Sequence, residues 1–208
     1  MKKKVQLSLS KHWSYNIYND PKRLAFVLSR YDFAASSCFQ NGPIIEFGCS
    51  EGIGLSILKE NAISYLGVDF DNDAISIAKQ NWSDSKCHFK CEDFLGKKYG
   101  NFDTAISLDV IEHIEVEFEN LYFKTLCKNL NKDGRCIVGT PNKSSESYAS
   151  EASKAGHVNV YTYDRLKKAI LKHFECVLMF GINDEVVHTG FQEMCHYLIG
   201  IGCSKKLK

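Results

Sequence analysis

Hydrophobic positions along this chain follow two alternating rhythms, short β-branched runs and longer stretches at helical spacing. The clearest junction is Ile44-Ile45-Glu46-Phe47, which breaks into a turn with glycines at 48, 52 and 54 and then into the helix-spaced Leu55-Ser56-Ile57-Leu58-Lys59. A near-continuous apolar run bounded by glycines reads as a buried parallel strand, and such a turn lets backbone N–H groups approach a ligand closely. Further strands are predicted at Ile63–Asp69, Cys87–Cys91, Phe102–Leu108 and Arg135–Asn142. Helical spacing predicts Pro21–Ser36, Asn72–Trp82 with Asp71 or Asn72 as cap, and Val116–Leu130 with Phe118, Leu121, Thr125, Leu126 and Leu130 facing inward. Lys143 to Val160 is polar and aperiodic, so a loop is expected there. After a helix from Arg165 to His173, the strands Cys176–Ile182 and Met194–Ile201 have no helix between them and should run antiparallel.

Polar residues at the predicted strand ends add chemistry to this outline. Asp69 closes the second strand 23 residues after Glu46, a spacing that lets a carboxylate accept from both hydroxyls of a ribose held by the glycine turn. Glu92, Asp93 and Phe94 follow the third strand, where a carboxylate can take an adenine amino group and a phenyl ring can cover the base. Asp109-Val110-Ile111-Glu112-His113 follows the fourth. The glycine spacing does not suit a dinucleotide fingerprint, and no Tyr-x-x-x-Lys pair is present.

Together these stretches resemble, in order and spacing, the motifs of class I S-adenosylmethionine (SAM) methyltransferases. Glu46-x-Gly48-x-Ser50-x-Gly52 matches that family's acidic-x-Gly-x-Gly-x-Gly motif, with Ser50 in place of the middle glycine. The resemblance implies an α/β Rossmann-like fold: a mostly parallel seven-stranded sheet with an antiparallel last strand and helices on both faces. It also implies SAM as cofactor, bound by Glu46, Gly48, Ser50, Gly52, Asp69, Phe70, Glu92, Asp93, Phe94 and Leu108, with the hydroxyl of Ser50 donating to the SAM carboxylate. On this reading residues 1–36 form a lid and helix, 37–142 the SAM-binding core, and 143–208 the substrate-side loop, helix and terminal strand pair of a single domain. Trp13, Tyr15 and Tyr18 in the lid segment either line an acceptor site or anchor the terminus to the core, the second being the commoner use of such residues.

Composition narrows the acceptor. The chain has 208 residues, enough for one domain with a sizeable core. A net charge of +1, with 26 basic residues of which only four are arginine, argues against long contact with a phosphate backbone and favours a small molecule. Nine cysteines without a C-x-x-C pair suit free thiols in a reducing cytosol, and Cys49 reads as a small buried residue. Met1 to Ser8 lacks the apolar core of a secretion signal, and no stretch approaches the ~20 apolar residues of a membrane span, so a cytoplasmic protein without membrane contact is expected. Oligomeric state is not encoded in any pattern we recognise.

In an open parallel sheet, ligands bind beyond the carboxyl ends of the strands. Three histidines, His113, His157 and His188, fall on loops at that rim, together with Asp109, Glu112, Glu146, Asp184 and Glu185. His12, His88, His173 and His196 fall elsewhere and read as structural or solvated. An alcohol acceptor benefits from a general base, and His113 is the first choice, with Asp109 beside it and His157 and His188 as second choices. An alternative resemblance is to Hen1-type RNA 2′-O-methyltransferases and ubiquinone-pathway O-methyltransferases, which hold a divalent cation by Glu-x-x-Glu-His and a distant histidine. Here it would imply Asp109, Glu112, His113 and His157 as ligands, and RNA as a variant acceptor. The expected activity is methyl transfer to an oxygen of a sugar, glycan precursor or similar polar metabolite, by general likeness to bacterial surface-glycan methyltransferases. An NAD-linked oxidoreductase and a catalytically silent SAM-binding module are the competing readings.

Overall fold

The computed structural model describes residues 6–206; the basic Met1–Lys4 segment read above for its lack of a leader lies outside the described residues. In chain order the elements are α1 (Lys11–Asn19), α2 (Pro21–Ser37), β1 (Gly42–Phe47), α3 (Leu55–Leu58), β2 (Ala62–Asp69), α4 (Asn72–Trp82), β3 (Cys87–Cys91) and β4 (Phe102–Leu108). They continue as α5 (Glu119–Asn129), β5 (Leu130–Pro141), α6 (Glu151–Gly156), α7 (Tyr163–Leu171), β6 (Phe174–Asn183), β7 (Val186–His188) and β8 (Tyr197–Lys205).

One sheet contains all eight strands in the order β3-β2-β1-β4-β5-β8-β6-β7. β1 to β5 pair in parallel, and β8 lies antiparallel between β5 and β6, as expected of the last strand pair. The strand order reverses beside β1, because the chain travels outward to β3 and returns to add β4 on the other side. At such a reversal the connecting segments diverge to opposite faces and leave a crevice above the strand ends.

Alternation along β1 decides which helices cover which face. Ile44 joins Leu55, Leu58, Tyr65, Ile75 and Phe89 in the core beneath α2, α3 and α4. Ile45 and Phe47 face the opposite core with Tyr122, Phe123, Leu126, Leu166 and Ile170. Both faces of the strand are therefore dry, which is why its sequence reads as an unbroken apolar run. Asp71 caps α4 by accepting from the N–H groups of Asp73 and Ala74, and Thr162 caps α7 by accepting from Arg165 N–H.

Several expectations need correction. The sheet has eight strands, not seven, because Val186–His188 folds back on the end of β6 as a three-residue edge strand. The segment expected to be a loop, 143–160, contains a 3-10 turn at Lys143–Tyr148 and the helix α6 capped by Ser150. Of the stripe expected on α5, Thr125, Leu126 and Leu130 are buried, but Phe118 and Leu121 are exposed and Tyr122, Phe123 and Asn129 are buried in their place. Short 3-10 geometry at Val116–Phe118 starts that helix late. In α1, Trp13 is buried and anchors the segment, whereas Tyr15 and Tyr18 point outward. No cysteine among the described residues is in a disulfide. No helix among them is long and apolar enough to cross a membrane.

Candidate active site

The turn after β1 is built from left-handed backbone. Gly48 and Gly52 have φ of 77° and 75°, and Ser50 between them has φ of 48°. Ser50 thus adopts the conformation its glycine counterpart would, at a cost of roughly 1–2 kcal/mol for a residue with a Cβ. Its N–H donates to Asp69 Oδ2 at 2.8 Å, which offsets part of that strain. A Cβ at Gly48 would lie 2.2 Å from Cγ2 of Val110, so the turn sits directly against the segment that follows β4.

Asp69 is where the spacing placed it, at the tip of β2 against the glycine turn. Its other oxygen accepts from Asp71 N–H at 2.9 Å. A carboxylate offers about four lone-pair sites, so two remain for a ribose diol. Phe70, beside it, is 78% exposed and free to lie over a base.

Three of the residues expected at the cofactor, Glu46, Phe94 and Leu108, have buried side chains. Glu46 is only 1% exposed and accepts from Tyr31 Oη at 2.6 Å and from Tyr65 Oη. Burial pushes its carboxyl up to about 7, although the two tyrosine hydroxyls pull the other way. Glu46 therefore ties α2 and β2 together beneath the turn. Phe94 packs in the core against Phe47 and Tyr122, and the Leu108 side chain is buried beside Gly139. Leu108 is buried at the end of β4, whereas Phe94 lies beyond β3 in the turn that follows it. Glu92 is paired with Lys97, and Asp93 accepts from Leu95 N–H. Burial raises the Cys49 thiol well above its ordinary value, so this cysteine is inert inside the turn.

Beyond β4 the geometry divides the predicted catalytic set. Asp109 has a left-handed φ of 56° and both its oxygens accept from Arg30 Nη1, at 2.9 and 3.0 Å. Glu112, His113 and His157 instead converge, each offering a ligand atom within 4.8 Å of the others. The two imidazoles meet edge to face at 5.3 Å between centroids. His113 Nδ1 lies 2.9 Å from the carbonyl of Gly156, which can only accept, so the proton belongs on Nδ1 and the lone pair on Nε2. His157 Nδ1 faces Glu146 at 3.7 Å. Burial and the neighbouring His113 lower the pKa of His157, and it stays neutral near pH 7.

Glu112 is 2% exposed and accepts from Thr140 Oγ1 at 3.0 Å. Burial, with the charge of Asp109 adding to it, raises its carboxyl to about 8. His188 does not join this cluster. It stands on the edge strand β7, where Nδ1 accepts from Gly190 N–H and Nε2 approaches Cys195 Sγ at 3.8 Å. Asp184 faces His196 Nδ1 at 3.8 Å.

Sequence reasoning missed four residues that shape this site. Arg30 lies between Val27 and Ala34 at helical spacing, a lone charge in an apolar stripe, and that was the available signal. Thr140 and Asn159 hold Glu112, the latter by donating its N–H to the Glu112 carbonyl at 3.0 Å. The carboxylate of Glu51, 2% exposed, accepts from Ser10 N–H and straps the start of α1 to the glycine turn.

An open sheet with a glycine turn and acidic strand tips at its reversal point defines a nucleoside-binding enzyme architecture. The chain belongs to the methyltransferase-domain family, whose model matches residues 19–175. No curated protein matches it. Among solved structures it is similar to a TehB-like SAM-dependent methyltransferase from Corynebacterium glutamicum, with 18% identity, a TM-score of 0.67 and coverage of 94% of this chain and 100% of that one. It is also similar to the N-methyltransferase NodS of Bradyrhizobium japonicum in complex with S-adenosylhomocysteine, with 16% identity, a TM-score of 0.63 and 91% of each chain covered. A third is the methyltransferase domain of bacterial CtHen1-C, with 19% identity, a TM-score of 0.66 and 86% of this chain and 97% of that one covered. The protein is a class I SAM-dependent methyltransferase, and SAM is its cofactor. The oxidoreductase and silent-module readings are thereby set aside.

Proposed function

We propose that this enzyme, reading residues 1–208 as one methyltransferase unit, methylates an oxygen of a small polar acceptor such as a sugar or glycan precursor. The observation that carries the reading is the imidazole pair beyond the tip of β4. His113 carries its proton on Nδ1 toward Gly156, so Nε2 is a free lone pair. His157 packs against it and is held neutral by burial. Since SAM is an activated sulfonium, the transfer is an in-line displacement in which positioning supplies much of the acceleration. An alcohol must also lose its proton, and His113 Nε2 is the group suited to take it, typically a ~10²–10⁴-fold contribution. Glycine turn, Ser50, Gly52 and Asp69 hold the cofactor in this reading, with Phe70 over the base.

A second reading has its own support in the convergence of Glu112, His113 and His157. Two imidazoles whose Nδ1 atoms face acceptors, beside one carboxylate, are a donor set that fits a divalent cation, and those acceptors would fix the ring orientations. A bound cation would polarise an acceptor hydroxyl and bring the raised Glu112 carboxyl down. Asp109, the fourth ligand implied by sequence, is taken by Arg30 and drops out of that set.

The test is transfer of labelled methyl from SAM to a panel of hydroxyl, amine and carboxylate small molecules and to a small RNA, with and without a chelator. Label in an alkali-stable ether, with a loss of at least ~100-fold in His113→Ala, is the expected result. Label on nitrogen or RNA alone, or an undiminished rate in His113→Ala, would overturn it. Activity abolished by the chelator and restored by a divalent ion selects the cation reading over the free base.

A further inference from the structure

Of the nine cysteines in this chain, two face each other. In the antiparallel pairing of β6 with β8, Cys176 lies directly opposite Cys203, 27 residues further on. Opposite residues in such a pair point to one face of the sheet, with Cα atoms about 4.5 or 5.5 Å apart. A disulfide spans about 4.4–6.8 Å between Cα atoms, so the backbone already brings the two thiols within reach of a bond. Among the described strands no other cysteine stands opposite a second one: Cys136 faces Gly202, Cys87 faces Tyr65 and Cys91 faces Asp69.

Their surroundings give the two thiols different characters. Cys176 is exposed, whereas Cys203 is half-buried against the core that contains Ile199 and Ile201. Burial raises the Cys203 thiol above its ordinary value; the guanidinium of Arg135, opposite it on β5, pulls the other way, and Cys176 adds to the rise. An exposed thiol meets an oxidant first, and a sheltered neighbour can resolve it. Location adds a reason for the pairing. β7 covers β6 only at Gly181–Asn183, so among the described residues the strand around Cys176 is an outer edge held by β8 alone. Edges of this kind open at low free energy, and a covalent tie restrains what hydrogen bonds on one side hold.

We propose that Cys176 and Cys203 form a redox-responsive clip, closing as a cross-strand disulfide that staples the edge of β6 to β8. With a small-molecule disulfide such as oxidised glutathione as oxidant, the Cys176 thiolate attacks one of its sulfurs, forming a mixed disulfide and releasing one glutathione thiolate. The Cys203 thiolate then attacks Cys176 Sγ, closing the protein disulfide and releasing the second glutathione thiolate. Both protein thiols are oxidised, the oxidant is reduced to two thiols, and the two protons given up by the protein pass to them. Excess reduced glutathione runs the sequence backward. Tyr197, the β8 residue that touches Arg30 and accepts from Asp109 N–H, stands six residues before Cys203, about 20 Å along the strand. The clip therefore stiffens the antiparallel arm at a distance from the candidate site, and the inference depends on neither cofactor nor acceptor.

The test is equilibration of the wild-type protein in glutathione buffers from fully reduced to fully oxidised, followed by acid quench, alkylation, intact mass and thermal melting. Oxidation should remove two hydrogen masses per chain without retained glutathione, and fragmentation of peptides released by Glu-specific cleavage should assign the link to Cys176 and Cys203. The melting temperature should rise by ~5 °C or more and return with dithiothreitol. Cys176→Ser, a change at an exposed position, should abolish both the mass change and the melting shift. Cys195→Ser, at the other cysteine of this arm, should keep both. Absence of the disulfide at every glutathione ratio, glutathionylation that stops at Cys176, a link between other cysteines or between chains, or a closed link without a melting shift overturns the proposal.

Discussion

The two ends of the active site, as proposed above, are made from different materials. At the cofactor end the ligand-facing groups are largely backbone: a turn with three left-handed residues, Gly48, Ser50 and Gly52, and one carboxylate, Asp69, braced against it. Beneath lies a buried polar tie in which Tyr31 and Tyr65 donate to Glu46. The acceptor end is made of side chains from distant parts of the chain. Glu112 and His113 come from the turn after β4, His157 from beyond α6 and Thr140 from the end of β5. Backbone geometry at the first end admits few residues, so it is recognisable in a sequence and intolerant of change. Side chains at the second end can be exchanged without unfolding the sheet, and this is where one fold acquires different acceptors.

If that contrast holds, Gly48→Val should give the largest effect. Its Cβ must enter the space of the Val110 methyl from a left-handed backbone, so S-adenosylhomocysteine binding should fall by more than ~100-fold and stability by about 2–4 kcal/mol, read by calorimetry and thermal melting. His157→Ala should do the opposite, lowering turnover by ~10–100-fold with S-adenosylhomocysteine affinity unchanged within about 2-fold. Weakened cofactor binding in that variant would dissolve the division between the two ends.

The Glu46 tie sharpens the comparison further. Its carboxyl is raised by burial from the ordinary 4.5 to about 7 in the folded chain, so the folded state holds its proton more tightly than the unfolded one. Stability is therefore full below about pH 4.5 and is lost as pH rises through about 7, by up to ~3 kcal/mol at the buried limit. Glu46→Gln should flatten the melting temperature across that interval. A slope unchanged from wild type would mean that Glu46 binds its proton equally in the folded and unfolded chain, and the raised carboxyl would be refuted.

Legibility followed the same division. Asn72–Trp82 was bounded correctly because Asp71 supplies a local cap, β1 and β4 were found because their apolar runs are buried on both faces, and β3 because its residues alternate. Asp69 was placed correctly because strand length and turn length fix how far its carboxylate lies from Gly48. On α5 the inward positions Thr125, Leu126 and Leu130 were read correctly, and the first turn, Phe118 and Leu121, was misread because the chain enters it through 3-10 geometry that residue periodicity does not carry. Glu46 was assigned to the ligand from the family motif and Phe94 from its place after the third strand, yet Glu46 is buried between Tyr31 and Tyr65 and Phe94 packs in the core against Phe47 and Tyr122. His113 and His157 shared one rim with His188 in the sequence argument, yet α6 and the carbonyl of Gly156 join only the first two.

By itself the sequence determined the five parallel strands, the glycine turn and the carboxylate of Asp69 beside it, because each depends on patterns local in the chain. The tertiary structure alone decided that Asp109 belongs to Arg30, 79 positions earlier, and that Glu112 and His113 meet a histidine from beyond β5. Those pairings depend on how the sheet closes and which face each helix covers, and that is a property of packing rather than of any local pattern.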